Sequence, residues 1–385
     1  MGTFAITNIG TLVSGELGAP ILEADTVVIT DGMITGIGGA EIATDAAVKV
    51  DANGATVLPG LIDSHVHPVI GDFTPRQKQM DFIESSLHGG VTTMISAGEA
   101  HLPGRPKNPA GVKALALLAH ECFKNARPAG VKVHGGALIL EHGLTEADFA
   151  ELAAAGCWLV GEVGLGGVNK PEDAAPMVEW AHKHGFKVLM HTGGTSIPGS
   201  STVSADDVAA VRPDVVCHLN GGPTSVSPEQ LARVITETDL AVEIVQCGNA
   251  KSARTIARML DERGELHRLI LGNDAPSGTG VIPLGMLRNL AFLSSLADVD
   301  AAKAVCCATG TTARVFGLDT GIIEVGRAGD LVVVDTPMGS AGTDALDALR
   351  CGDLPGIAMV VIDGQIKAQV SRNTPPPQRK AAIIS

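Results

Sequence analysis

The chain has 385 residues, more than one typical domain but compatible with one large α/β domain and a smaller companion. Hydrophobic residues make up 45 % of the chain and aromatic residues only 3 %, and tyrosine is absent, so its core must be mainly aliphatic. The formal net charge of −14 argues against nucleic-acid binding, which requires clustered Lys and Arg.

The N-terminal segment lacks the features of an export signal. Residues 1–13 have no positively charged region before an apolar run, and no stretch of about 18 uninterrupted apolar residues occurs anywhere. The seven cysteines are scattered without framework spacing, which is typical of reduced thiols. We therefore expect a cytoplasmic protein without a membrane partner, whose cysteines are mostly buried; a redox role for Cys306 and Cys307 is the less favoured alternative.

Both ends of the chain carry β-hairpin patterns. Residues 26–37 contain two β-rich runs around Asp31–Gly32, and residues 357–370 repeat this pattern around Asp363–Gly364. Because isolated hairpins are only marginally stable, we expect residues 1–56 and 322–372 to join in one small β-sandwich. Residues 373–385, which include three consecutive prolines, are expected to form an extended tail.

Between the two ends, short apolar runs alternate with segments of helical length. The strand candidates are residues 57–67, 91–98, 132–140, 158–164, 187–192, 215–219, 240–247 and 269–274. Helices are expected between them, for example at residues 146–155, 171–184, 229–238 and 252–266. This alternation predicts an α/β fold with a (β/α)8 TIM barrel over residues 57–321, and an open doubly wound sheet is the structural alternative.

Side chains that commonly bind metals fall at the carboxyl ends of five of these strands, where active sites of such barrels form. The six residues are His65 and His67 on the first strand, Glu162 on the fourth, His191 on the fifth, His218 on the sixth and Asp274 on the eighth. Alternate residues of a strand share a face, so His65 and His67 can bind one ion together. His182 and His184 have the same spacing on a predicted helix, where such residues do not share a face, and are expected at a solvated helix end.

The carboxylates strengthen the case for a metal site. A lone histidine at a strand end is more often a hydrogen-bonded core residue than a ligand, but Glu162 and Asp274 in apolar strands would be costly without a cation. Together the six residues favour a metal site. His101 and His142 follow the second and third strands and either line the pocket or lie in solvent. The other histidines, at positions 88, 120, 134 and 267, are expected to be structural or on the surface.

The segment Leu58–His67 (LPGLIDSHVH) resembles the amidohydrolase superfamily signature P-G-[LF]-[IV]-D-x-H-x-H. The resemblance continues through Glu162, His191, His218 and the segment Asn273–Pro276, and covers nearly the whole chain. It implies two divalent ions per chain, zinc ahead of iron, bridged by hydroxide and by the fourth-strand side chain. Many members use a carboxylated lysine there, but residues 158–164 contain no lysine, so Glu162 is the available anion.

The roles of the other ligands also come from the resemblance. His65, His67 and Asp274 would bind the more buried ion, and His191 and His218 the more exposed one. Water activated between the ions would attack an amide, with Asp274 as general acid and base. Deamination is disfavoured, because residues 192–195 after His191 contain no acid.

The expected substrate is a small molecule. Within the family, the chain resembles members that open a cyclic enamide in nicotinate degradation, which implies an acidic substrate and a homotetramer. The candidate cations for such a substrate are Arg76, Arg105, Lys170 and Lys251. Two alternatives stay open: hydrolysis of another cyclic amide or of an N-acyl or isoaspartyl substrate, and a catalytically inactive barrel that serves as a scaffold.

Overall fold

The computed structural model describes residues 2–68, 79–98, 104–194, 202–222, 224–276 and 280–385. Within these ranges the chain has a mixed α/β fold, with mainly antiparallel sheets built from both ends and parallel strands in the middle. Arg76 and His101, which the sequence analysis singled out, lie outside the described residues.

The N-terminal part consists of short strands. They are β1 (Thr3–Thr7), β2 (Thr11–Val13), β3 (Ile21–Leu22), β4 (Thr26–Thr30), β5 (Met33–Gly38), β6 (Val48–Asp51) and β7 (Thr56–Pro59). The predicted hairpin at Asp31–Gly32 is confirmed as β4–β5. Both turn residues have positive φ angles, 50° and 86°, which is the geometry of a two-residue hairpin turn.

The middle part alternates strands and helices. In chain order the elements are β8 (Leu61–Val66), α1 (Gln79–Leu87), β9 (Val91–Ser96), α2 (Pro109–Asn125), β10 (Lys132–His134), α3 (Glu146–Ala154), β11 (Leu159–Val163), α4 (Pro171–Lys183), β12 (Lys187–Met190), α5 (Ala205–Val211), β13 (Val215–Val216), α6 (Pro228–Glu237), β14 (Ala241–Val245), α7 (Ala250–Glu262) and β15 (Leu269–Gly272). The four helices predicted from the sequence are present as α3, α4, α6 and α7, with slightly different ends. Pro171 and Pro228 occupy the first turn of their helices, where a missing N–H costs nothing.

The prediction of one continuous strand over residues 57–67 is wrong. This segment is divided into β7, which pairs with β16 (Leu331–Asp335) and β2, and β8, which pairs with β9. The division falls at Gly60, where a Cβ would lie 2.1 Å from the Thr92 hydroxyl. Only glycine allows the chain to pass this close to β9 while it changes sheets.

The eight middle strands form two parallel sheets. Their orders are β10-β9-β8 and β11-β12-β13-β14-β15. Isolated parallel bridges connect the two sheets at both edges, between Leu138 and Val160 and between Val66 and Ala275. The carboxyl ends of the strands therefore meet on one side of the molecule.

The C-terminal part is helical and then returns to antiparallel strands. After α8 (Gly285–Leu296), α9 (Ala301–Cys306) and α10 (Thr312–Phe316), the elements are β16, α11 (Ala345–Cys351), β17 (Gly356–Ile362), β18 (Gln365–Ala368) and β19 (Ala382–Ile383). The predicted hairpin at Asp363–Gly364 is confirmed as β17–β18. The predicted tail carries β19, which pairs with β6, and Arg379, which binds Asp335 through its guanidinium group.

Strands from both chain ends join in two mixed sheets, which are mainly antiparallel but pair β1 with β6 and β2 with β7 in parallel. The orders are β19-β6-β1-β4-β5 and β18-β17-β16-β7-β2-β3. The two sheets share one hydrophobic cluster, to which Ile6 and Ile29 contribute from the first and Val57, Val333 and Val361 from the second. Burial of these aliphatic side chains on both sheets holds the two ends of the chain together.

All seven cysteines lie among the described residues, and none of them forms a disulfide bond. Cys306 and Cys307 are buried, and burial raises the pKa of both thiols, that of Cys306 to about 12. Such thiols are inert near neutral pH, which argues against a redox pair. Within the described part of the chain, no helix combines the length and the apolar character needed to cross a membrane.

Candidate metal centre

The structure brings the six predicted ligands together at the carboxyl ends of the parallel strands. His65 lies on β8 and Glu162 on β11, and His67, His191, His218 and Asp274 lie just beyond the ends of β8, β12, β13 and β15. Five of the six residues are buried, and the Asp274 side chain is 15 % exposed. Hydrogen bonds from Asp274 N to His65 O and from His67 N to Ala275 O connect the ends of β8 and β15.

The rings of His65 and His67 face each other through their Nε2 atoms, which are 3.3 Å apart. The Nδ1 atom of His65 lies 2.8 Å from Glu243 Oε2, and that of His67 lies 2.7 Å from the carbonyl oxygen of Gly98. These acceptors require a hydrogen on each Nδ1, so both Nε2 lone pairs point into the site. Two lone pairs this close repel each other unless a cation lies between them.

Glu162 lies between two pairs of histidines. Its Oε2 atom is 3.6 Å from His65 Nε2 and 3.5 Å from His67 Nε2. Its Oε1 atom is 3.3 Å from His191 Nδ1 and 2.6 Å from His218 Nε2. One carboxylate thus faces both pairs, which is the arrangement of a bridging ligand.

Asp274 is the most exposed of the six side chains and contacts the histidines of β8. Its Oδ1 atom is 3.2 Å from His67 Nε2 and 3.7 Å from His65 Nε2, and its Oδ2 atom accepts a hydrogen bond from the Cys247 thiol at 3.4 Å. The φ angle of Asp274 is +54°, in the left-handed region that Asp tolerates better than most residues. Its backbone is therefore committed to one conformation, which presents the carboxylate to His65 and His67.

The carboxylates and the histidines of the site shift one another's pKa values. Burial alone would raise the pKa of Glu162, but the charges of His65 and His218 outweigh it and hold that pKa well below its ordinary value. Burial also tends to raise the pKa of Asp274, but the hydrogen bond with His67 and the charges of the nearby histidines outweigh this effect and lower the pKa. At His65 burial favours the neutral ring, but attraction by Glu243 and Glu162 raises the pKa well above 6.5. Both carboxylates stay ionised at neutral pH, and their field favours a bound cation.

The donor set fits a metal centre. Two groups of these side chains place one ligand atom each within 4.8 Å of one another: His65, His67 and Asp274, and His65, Glu162 and His218. His191 Nε2 and His218 Nδ1 are buried and have no hydrogen-bond partner among the described residues. Nitrogen and carboxylate oxygen are ligands that zinc, iron and manganese accept. These groups can therefore hold metal.

Sequence reasoning missed three polar residues beside the ligands. Glu243 on β14 is fully buried, Cys247 contacts Asp274, and Asp63 accepts hydrogen bonds from the backbone N and side-chain Nδ2 of Asn273. Burial raises the pKa of Asp63 to about 7. The signal for Glu243 was present, because a single acid in the apolar run 240–247 meets the same criterion that identified Glu162.

The other candidates lie apart from the six ligands. His142 is exposed in the loop before α3, and His182 lies at the end of α4, 3.0 Å from Asp214. The Arg105 guanidinium is 3.0 Å from the buried carboxylate of Glu141, while Lys170 and Lys251 are exposed. The helical position of His182 agrees with the prediction of a solvated helix end.

Comparison with known proteins identifies the family. The model of the amidohydrolase family matches residues 56–367. Enamidase of Eubacterium barkeri is 60 % identical over 386 residues and aligns with 100 % of both chains. The chain belongs to the amidohydrolase family. Dihydroorotase of Citrifermentans bemidjiense is a more distant relative of this amidohydrolase, 23 % identical over 80 % of the chain and 85 % of the relative.

Solved structures of amidohydrolases agree with this assignment. The crystal structure of enamidase, 60 % identical, superimposes with a TM-score of 0.97 over 99 % of this amidohydrolase and 100 % of that chain. A β-aspartyl dipeptidase of Fervidobacterium islandicum, 16 % identical, superimposes with a TM-score of 0.66 over 96 % of this chain and 97 % of that one. At that low identity the second likeness shows the fold alone.

Proposed function

We propose that this amidohydrolase opens a cyclic amide with water at a centre of two divalent metal ions. The observation that carries the proposal is Glu162, whose two oxygens face two separate pairs of histidines. The identity of 60 % to enamidase over the full length supports the cyclic-amide substrate.

The proposed architecture is a (β/α)8 barrel over residues 57–321 with a β-sandwich from residues 1–56 and 322–372, except that residues 57–59 of β7 pair with the sandwich strands β16 and β2. The two bridges between the parallel sheets support closure of the barrel, because they join both pairs of edges. The hydrophobic cluster shared by the two sheets from the chain ends supports the sandwich. A closed barrel would place the ends of all eight strands around one pocket.

In the proposed centre, His65, His67 and Asp274 would hold one ion, His191 and His218 would hold the other, and Glu162 would be shared by both. When bound, the ions supply a water molecule of low pKa and polarise the substrate carbonyl. The hydrogen bonds at His65 Nδ1 and His67 Nδ1 fix the tautomers in which Nε2 is free to bind. Zinc is the favoured metal, and iron is the alternative at one position.

Asp274 is the proposed general acid and base. Its carboxylate is the most exposed of the six proposed ligands, so it can take the proton from the attacking water. It would then deliver that proton to the leaving nitrogen as the carbon–nitrogen bond breaks. Because its lowered pKa keeps it ionised at neutral pH, it begins the reaction as a base.

The proposed substrate is 6-oxo-1,4,5,6-tetrahydronicotinate. Cleavage of its lactam by one water frees an enamine, which tautomerises to an imine, and a second water releases ammonia and leaves 2-formylglutarate. The substrate carboxylate calls for a cation near the strand ends, for which Lys170 and Lys251 are exposed candidates. We also propose a cytoplasmic homotetramer, by the resemblance that suggests the substrate.

The test combines turnover with metal analysis of the purified protein. We expect about two metal ions per chain, and faster hydrolysis of the cyclic enamide than of dihydroorotate, hydantoin or an isoaspartyl dipeptide. Faster hydrolysis of one of the other amides would refute the proposed substrate but remain consistent with the proposed hydrolase activity. Well under one ion per chain, without gain on reconstitution, would reject the metal centre and favour a scaffold.

A further inference from the structure

Glu243 is a buried acid that the proposed reaction does not use. It lies in the middle of β14 and is 0 % exposed. An acid in this position is costly unless hydrogen bonds compensate for the lost hydration. Among the described residues, its carboxyl group has hydrogen-bond partners in Ser64, His65 and His218, so groups at the candidate metal centre compensate for the lost hydration.

The carboxyl group of Glu243 contacts both halves of that centre. Its Oε2 atom lies 2.8 Å from His65 Nδ1 and accepts a hydrogen bond from the backbone N–H of His218 at 3.0 Å. Its Oε1 atom accepts a hydrogen bond from the Ser64 hydroxyl at 2.5 Å. One oxygen is thus shared between the first histidine of one ion position and the backbone of a histidine of the other.

The contact with His65 selects the tautomer of that ring. Because Nδ1 donates to Glu243, the Nε2 lone pair is free and faces His67 and Glu162. His67 is oriented by the backbone carbonyl of Gly98, which no substitution of a side chain removes. The orientation of His65 depends on a side chain, so it can be tested by mutation.

The contact with His218 acts on the backbone. The φ angle of His218 is +32°, which is unfavourable for a residue with a side chain. The hydrogen bond from its N–H to Glu243 compensates for this conformation, which directs the ring toward Glu162. Loss of the acceptor would leave a buried N–H without a partner at this strained point.

A glycine makes the arrangement possible. Strand β15 lies next to β14, and the Val66–Ala275 bridge joins its end to β8. A Cβ at Gly272 would lie 2.7 Å from His65 Cβ and 3.0 Å from the Ser64 hydroxyl oxygen. Without a side chain there, β8 approaches β15 closely enough for Glu243 to contact His65 and Ser64.

We propose that Glu243 is a positioning residue that couples the two ion positions, by holding the His65 ring and the His218 backbone with the same carboxylate oxygen. The inference rests on the proposed function, because it requires that these histidines bind metal. It predicts that a change at Glu243 weakens both ion positions in parallel. Loss of a partner that orients a ligand typically lowers metal affinity about 10- to 100-fold.

The experiment measures zinc affinity and stoichiometry by chelator competition and elemental analysis, without an activity assay. The variants are Glu243→Gln, which keeps the shape but not the charge, and Ser64→Ala, which removes the contact to Oε1 together with the contact to the Leu271 carbonyl oxygen. The matched control is Asp330→Asn, because Asp330 is also buried and accepts hydrogen bonds from Lys132, Thr320 and Asp363 on other elements. Thermal unfolding of each metal-free variant reports on stability separately.

We expect Glu243→Gln to bind both ions about 10-fold or more weakly than the wild type does. Ser64→Ala should lower the affinity of both positions by a smaller factor, and Asp330→Asn should bind zinc as the wild type does. Unchanged affinity in Glu243→Gln, a loss confined to one ion, or an equal loss in Asp330→Asn would overturn the coupling. If Glu243→Gln fails to fold, unchanged affinity in Ser64→Ala overturns it. A wild-type chain that binds no zinc would instead refute the proposed metal centre.

Discussion

Glu162 Oε1 lies 2.6 Å from His218 Nε2, while the other oxygen of the same carboxylate lies 3.5 Å from His67 Nε2. The two histidines come from the ends of different strands, β13 and β8, and Glu162 spans the space between them from β11. In the proposed centre, this side chain would join the two pairs of histidines. The first prediction therefore concerns Glu162.

Glu162→Gln is expected to reduce the metal content from about two ions per chain to one or fewer. The amide keeps the volume but lacks the negative charge that offsets two adjacent cations. Elemental analysis after dialysis against buffered zinc measures the effect. Glu141→Gln is the control, since Glu141 is also buried but pairs with Arg105. Two ions in Glu162→Gln would contradict the bridging role.

Asp274→Ala is expected to lower kcat for the cyclic enamide by about 10³-fold or more, because ligand and proton carrier are lost together. Steady-state kinetics at saturating zinc measures the loss. Asp298→Asn provides the control: Asp298 is exposed and also has a positive φ, 62°, so it tests the backbone conformation without the site. Near-normal turnover in Asp274→Ala would rule out the assigned role.

Removal of metal is expected to abolish turnover and to lower stability. Ions that bind only the folded chain stabilise it by about 2.7 kcal/mol per site when free metal is 100-fold above Kd. Differential scanning calorimetry of the chelated and reconstituted protein checks the shift, and turnover should return with zinc or iron. If chelation changes neither the thermal unfolding midpoint nor the turnover rate, the metal has no structural or catalytic role.

Acidification is expected to destabilise the fold through His134. Burial lowers the pKa of His134 from 6.5 to about 4, and its ring packs edge-on against Trp158 with centroids 5.3 Å apart. Between these pH values the unfolded chain binds a proton at His134 that the folded chain does not. The folded chain therefore has its full stability with respect to His134 above pH 6.5 and loses stability as the pH falls toward 4. The pKa shift of His134 corresponds to a change of about 3 kcal/mol in the free energy of unfolding.

Urea unfolding of the wild type and His134→Gln at pH 7 and pH 4.5 tests this contribution. The stability of the wild type relative to the variant should decrease by most of that amount at the lower pH. His142→Gln, at an exposed histidine, serves as the control. Because the metal ligands are identical in all three proteins, their titration cancels in the comparison. A difference that is the same at both pH values would refute the prediction.

Much of the fold could be predicted from local pattern. Apolar runs separated by helix-length segments predict the parallel strands, and Asp-Gly between β-rich runs predicts both hairpins, because these signals depend on neighbours in the chain. The division of residues 57–67 could not be predicted, since it depends on the approach of Gly60 to Thr92 from another strand. Strand ends were also overestimated, as at residues 132–140, where β10 ends at His134.

The identity of the candidate ligands was contained in the sequence, because a histidine or an acid in an apolar strand is chemically conspicuous wherever the chain folds. Only the tertiary structure decided how they are held. Glu243 and His65 are 178 positions apart, and their 2.8 Å contact exists because β14 and β8 lie on either side of β15, with Gly272 between them. The pairing of Arg105 with Glu141 is of the same kind. Such contacts depend on distances between strands, which no local pattern encodes.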